Sequence, residues 1–200
     1  MNRIEDALRQ EIEVDVRAAS ERALQRADAA GVVDVAYAHF DSPLGLLLIA
    51  ATHAGLVTLA YVEDDEERIL ADLAHRLSPR ILLLPRRLDG VRRELDEYFS
   101  GRRTRFDQPL DWSLARGFTE KVLRATARIP YGRVVSYREV ATRAGNERAV
   151  RAAGRALGSN RLPIVVPCHR VVRTGGALGG YTGGLAKKEF LLDLEGAPSP

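Results

Sequence analysis

The sequence predicts an α+β protein in two parts, a small sheet domain with helices followed by a mainly helical domain that carries a helix-turn-helix. Three observations predict it. The apolar period changes from helical to alternating at Val32, and short strand-like runs follow up to Val62. From Phe118 onward the periodic segments are mainly helical. Charge divides the same way: residues 31–111 carry ten basic and fourteen acidic side chains, whereas residues 112–196 carry fifteen basic and six acidic, a net of +9.

Residues 3–29 place Ile4, Leu8, Ile12, Val16, Ala19, Ala23 and Ala27 on one stripe of an amphipathic helix, which Gly31 ends. The runs "VVDVAYAHF", "LGLLLIAAT" and "LVTLAYV" read as three strands of an antiparallel meander, parted by "DSP" and "HAG". "DDEERILADLAHRL" is helical, with an acidic first turn suited to the positive end of the helix dipole. Pro79 breaks it, "RILLLP" offers a further strand, and "LDGVRRELDEYFSG" is a helix closed by Gly101. The polar "RRTRFDQPLD" then serves as a linker. This divides the chain into a helical extension over 1–31, a sheet domain over 32–108 and a second domain over 112–197.

In the second domain "FTEKVLRATARI" is helical up to Pro130, which disfavours helix in the residue before it. "SYREVATRAG" opens with the S-x-x-E spacing of a capping box, Ser136 and Glu139. "RAVRAAGRALGSN" starts a few residues later, so the two helices read as a helix-turn-helix. The second helix interleaves small residues, among them Ala152 and Gly154, with Arg148, Arg151 and Arg155. Small side chains allow close approach to another surface, and arginines between them suit phosphates. The basic second half on an acidic remainder suggests a polyanionic partner for that half alone.

No run of eighteen apolar residues is present, so no membrane span is expected, and the charged N-terminus lacks the apolar centre of a secretory signal. The single cysteine cannot form an intrachain disulfide or a cysteine-rich zinc site, and it fits a reducing cytoplasm. His39, His53 and His75 are too scattered to argue for a metal.

That cysteine lies in "IVVPCHRVVRTGGALGGYTGG", between Pro167 and His169. "LPIVV" reads as a buried strand, and alternation along it would send the Cys168 and His169 side chains to opposite sides. A water or a local turn would then have to join thiol and imidazole. An unperturbed thiol is only a few per cent ionised near neutrality, so a base beside it has a use. A third group should hold the imidazole in one tautomer, and Glu189 in "GGLAKKEFLL" is a candidate. By spacing alone this constellation is weakly specific.

"PCHRVV", followed by "GGYTGGLAKKEFLLDLEG" and preceded by "IPYGRVVSYREVATRAGNERAVRAAGRALGSNRLPI", resembles the O6-alkylguanine-DNA alkyltransferases from about Phe118 to Gly196. The resemblance implies a ribonuclease-H-like N-terminal domain, a winged-helix-like C-terminal one, and direct, irreversible transfer of an alkyl group from guanine O6 to Cys168. O4-alkylthymine is a further candidate substrate. It implies that His169 acts through a water as the base for the thiol, with Glu189 on the far side of the ring. Tyr137 would offer its hydroxyl to the guanine and press on the 3′ phosphate. Asn160 would brace the turn before the reactive segment. Arg151 would replace the extruded nucleotide in the stack, with Arg148, Arg155, Ala152 and Gly154 on the DNA-facing helix. Val171, Tyr181, Thr182 and Pro163 would line the pocket. The implied partner is duplex DNA carrying O6-alkylguanine, met through the minor groove by a monomer, with no cofactor and no metal. The N-terminal helix would contact its own chain or another. Two other readings are a lesion-binding protein without transfer and a helix-turn-helix regulator. The acceptor cysteine weighs against the first, and the alanines and glycine of the second helix against the other.

Overall fold

The computed structural model describes residues 19–197 apart from 21, 25 and 64. Strands β1 (Val35–Ser42), β2 (Gly45–Thr52) and β3 (Gly55–Tyr61) form the expected antiparallel meander. β4 (Ile81–Leu83) joins β1 in parallel, so the sheet order is β3-β2-β1-β4. β2 is apolar without alternation because both of its faces are covered. Leu47 and Ile49 enter the main core, while Leu48 and Ala50 join Val35, Val57 and Leu73 in a smaller one. Leu73 comes from helix α1 (Glu66–Arg76), whose first turn is capped by the Asp65 carboxylate accepting from Arg68 N–H at 2.9 Å.

Helix α2 (Asp89–Phe99) lies against the other face and buries Leu95 and Tyr98 completely. The expected linker is partly pinned. Leu56 N–H donates to Pro109 O at 2.8 Å and Asp111 N–H to Leu56 O at 2.9 Å, so the chain leaves the sheet domain along the start of β3. Gly55, at φ +137°, permits this, because a Cβ there would overlap the Pro109 carbonyl.

Helices α3 (Gly117–Thr126), α4 (Tyr137–Arg143) and α5 (Val150–Gly158) build the second half. The predicted capping box is present: Glu139 N–H donates to Ser136 Oγ at 3.2 Å and Ser136 N–H to Glu139 Oε2 at 2.7 Å. Gly145, at φ +92°, and Asn146 turn the chain from α4 into α5, giving the helix-turn-helix. Two short strands, β5 (Val135–Ser136) and β6 (Val171–Val172), pair in parallel. They tie the start of α4 to the segment that follows Cys168. The last helix, α6 (Leu185–Leu194), returns beneath that segment. One apolar core runs from sheet to helices and includes Ile49, Leu95, Val122, Val140, Ala153, Val166 and Leu191.

Two expectations change. The predicted strand "LPIVV" is a buried turn: Ile164 sits at φ +74°, and Val166 N–H reaches back to Leu162 O at 2.7 Å. Most of the predicted 3–29 helix, residues 3–18, lies outside the described residues. The described residues over 19–29 are helical. Leu24 and Ala27 pack on the chain's own core, and Asp28 pairs with Arg87 at 3.1 Å.

Candidate active site

The site starts from Asn160. Its side-chain carbonyl accepts from Leu162 N–H at 3.0 Å, and its amide donates to Val166 O at 2.9 Å and to Cys168 Sγ at 3.1 Å. One side chain thus closes the turn and touches the thiol. A β-branched residue in the left-handed region costs on the order of 1–3 kcal/mol and persists only where its surroundings impose it. Ile164 is fully buried there. Beyond Pro167 the chain forms a 3-10 turn, Cys168–Arg170, not an extended strand. The alternation expected for Cys168 and His169 therefore does not apply.

Cys168 is almost fully buried, and burial pushes its thiol up to about 11, against the pull of the Asn160 amide and the Lys188 charge. His169 is wholly buried, and burial lowers its pKa below the usual imidazole range. Its Nε2 lies 2.8 Å from Glu195 Oε1, while Nδ1 has no hydrogen-bond partner among the described residues. Glu195 is held down to about 2: burial would raise it, but donors from His169 and Arg170 more than offset that. A carboxylate facing Nε2 requires the proton on Nε2, which leaves the Nδ1 lone pair free.

Glu195, and not the Glu189 expected from the sequence, faces the imidazole. Glu189 is exposed on the outer face of α6. Glu195 caps the helix, buried, and accepts from His169, from Arg170 Nε and Nη2 at 2.8 Å each, from Gly132 N–H at 3.2 Å and from the Tyr98 hydroxyl at 2.7 Å. The signal lay in helical spacing. Lys188, Leu191, Leu192 and Glu195 form the buried stripe, to which Glu189 does not belong. Tyr98, Arg170 and Lys188 also escaped the sequence reading. Lys188 Nζ donates to Val171 O at 2.6 Å and Gly179 O at 3.3 Å, and burial lowers it to about 8.

Cys168 opens on a cavity of about 650 Å³ lined also by Tyr137, Arg151, Gly154, Tyr181 and Thr182, all foreseen. Val150, Leu157, Gly158, Arg173, Thr174, Gly179 and Gly180 complete its lining and were not foreseen. Tyr137, the first residue of α4, fits between Gly154 and Gly179, and a Cβ at Gly179 would overlap its hydroxyl. Two residues expected at the pocket lie elsewhere. Val171 is buried behind it as part of β6, and Pro163 faces a separate groove beside Arg161 and Tyr61. Pro163 stands just before the turn at Ile164, and Val171 follows the 3-10 turn and pairs with Val135. On α5, Arg151 and Arg155 are exposed and Ala152 half-buried, while Arg148 is exposed just before the helix. Among the described residues, no helix is long and apolar enough to cross a membrane.

Residues 117–197 match the family model described as 6-O-methylguanine DNA methyltransferase, DNA binding domain, and residues 35–112 match that family's ribonuclease-like domain. A methylated-DNA–protein-cysteine methyltransferase of Mycolicibacterium paratuberculosis is 40% identical over 168 residues, covering 83% of this chain and 95% of the relative. The constitutive enzyme of that name from Bacillus subtilis is 37% identical over 163 residues, with 80% and 94% covered. The crystal structure of Mycobacterium tuberculosis OGT in complex with DNA superposes with a TM-score of 0.68 at 38% identity, covering 82% of this chain and 95% of that one.

Proposed function

The chain belongs to the 6-O-methylguanine DNA methyltransferase family, and from that premise we propose that it repairs DNA by moving the alkyl group of O6-alkylguanine onto Cys168, once per molecule. The observation that carries the proposal is the arrangement at the cavity floor. The Cys168 thiol lines the cavity, and the imidazole of the next residue is buried behind it with Nε2 held on Glu195 and Nδ1 without a partner among the described residues. With the thiol pushed up to about 11, little thiolate forms unaided near neutrality. Through a bridging water, Nδ1 takes the thiol proton, and the buried Glu195 carboxylate stabilises the imidazolium. Sulfur then attacks the alkyl carbon, the S–C bond forms as the C–O6 bond breaks, and the electron pair goes to the guanine. The Tyr137 hydroxyl donates a proton to the guanine and recovers one from solvent, to which His169 releases the proton it took from the thiol. The product thioether has no leaving group for hydrolysis, so the protein acts once.

A base inside duplex cannot reach a buried sulfur and must be extruded, at a cost of roughly a few kcal/mol. Helix α5 suits a minor groove about 6 Å wide because Ala152 and Gly154 keep it slim. Arg148 and Arg155 serve as phosphate contacts, and Arg151, at the cavity rim, fills the gap left in the stack. A single cysteine that must stay reduced suits work in the cytoplasm. The test is intact-mass analysis after incubation with duplex DNA carrying O6-methylguanine. One methyl per protein, on Cys168, is expected, and several lesions repaired per molecule would overturn the reading.

Arg151→Ala should slow single-turnover transfer from duplex by roughly tenfold or more, since part of the extrusion cost goes uncompensated. The rate on free O6-benzylguanine should not change, because a free base needs no extrusion. Equal losses on both substrates would make Arg151 a wall of the pocket instead.

A further inference from the structure

The pocket wall is held from outside its own domain. Tyr61, the last residue of β3, places its hydroxyl 2.9 Å from that of Tyr181. The two rings meet edge to face at 6.4 Å, and Tyr181 stands edge-on to His169 at 6.3 Å. Lys187 Nζ lies 4.5 Å above the Tyr61 ring and pairs with Glu63. Between these groups passes Gly183, where a Cβ would come within 2.7 Å of Tyr61 Cε2 and 2.9 Å of Lys187 Cδ. The end of β3 therefore grips the segment from Tyr181 to Lys187.

That segment needs such a grip. The chain from Gly175 to Gly184 contains six glycines, so its backbone loses much freedom on ordering and has few side chains with which to order itself. We propose that Tyr61 is a positioning residue that sets the width of the alkyl pocket by fixing the Tyr181 ring through the hydroxyl pair. The inference rests on the alkyl-transfer reading above. With the wall fixed, a base bearing a small methyl group sits against Cys168 in one pose. With it released, the base shifts in the wider pocket and a methyl carbon strays from the sulfur. A benzyl group fills the extra space itself and suffers less. Tyr61 thus bears on selectivity for small adducts through Tyr181, from outside the cavity's lining.

The experiment compares single-turnover rates on one duplex carrying either O6-methylguanine or O6-benzylguanine, so that base extrusion is common to both. Tyr61→Phe keeps the ring and removes the hydroxyl, leaving the Tyr181 hydroxyl without its partner. The methyl rate should fall about tenfold and the benzyl rate less than about threefold. The double variant Tyr61→Phe/Tyr181→Phe should lose no more than Tyr181→Phe alone, because the two hydroxyls act as one unit. Thermal melts of each variant establish that the fold persists. A methyl-to-benzyl ratio unchanged by Tyr61→Phe, or losses that simply add in the double variant, would overturn the proposal. Absence of transfer to Cys168 in the parent protein would instead overturn the reading on which it rests.

Discussion

A Cys168→Ala protein is expected to bind duplex DNA carrying O6-methylguanine with the parent's affinity and to leave every methyl group on the DNA. Loss of transfer should be complete because Cys168 is the only thiol in the chain and the only soft nucleophile at the cavity floor. Binding should survive because phosphate contacts dominate affinity, and the arginines of α5 do not depend on the sulfur. The fold should survive as well. Asn160 still donates to Val166 O at 2.9 Å and accepts from Leu162 N–H at 3.0 Å once its bond to Sγ is gone. Fluorescence anisotropy reads the first half of the expectation and intact mass the second. A methyl recovered on any other residue of the variant would show that Cys168 is not the acceptor.

The second large effect concerns the relay, and it separates the two candidate glutamates. His169→Ala should lower the single-turnover rate near neutral pH by roughly 10²–10⁴, the usual worth of a general base. Glu195→Gln should do likewise, while Glu189→Gln, on the exposed face of α6, should leave the rate unchanged. Glu195→Gln should also lower thermal stability, since the buried Arg170 guanidinium loses its countercharge and one of its two acceptors, replaced by an NH2 that only donates. The pH dependence distinguishes lost catalysis from a damaged fold. With the thiol near 11, the variants need hydroxide to ionise it, so their rates should climb with pH and approach the parent's in alkali. In acid the sign is opposite: the parent loses rate once His169 protonates, and its depressed pKa delays that below the ordinary imidazole range. A defect of constant size across the pH range would assign these residues to structure alone.

Much of this site was legible without coordinates. The family resemblance carried by the Pro-Cys-His-Arg-Val run implied the parts of Cys168 and Arg151, while local reading gave the Ser136–Glu139 capping box that starts α4 and the small-residue helix α5. The last two depend on residues a few positions apart, where capping, helical period and backbone preference act locally. The meander of β1 to β3 was legible for the same reason.

What only the tertiary structure decided depends on residues far apart in the chain. Asn160 closes a turn in which Ile164 holds a left-handed conformation that no local preference would choose, so the predicted strand does not form. Helical spacing puts Glu195 and Glu189 on different faces of α6 but does not say which face meets the imidazole. The choice between them came from which face of α6 meets His169, Arg170 and the hydroxyl of Tyr98, 97 residues away. The pairing of Tyr61 with Tyr181 spans 120 residues. A buried carboxylate or hydroxyl must find partners wherever the packed chain supplies them, and that requirement is met by the whole fold rather than by any stretch of sequence.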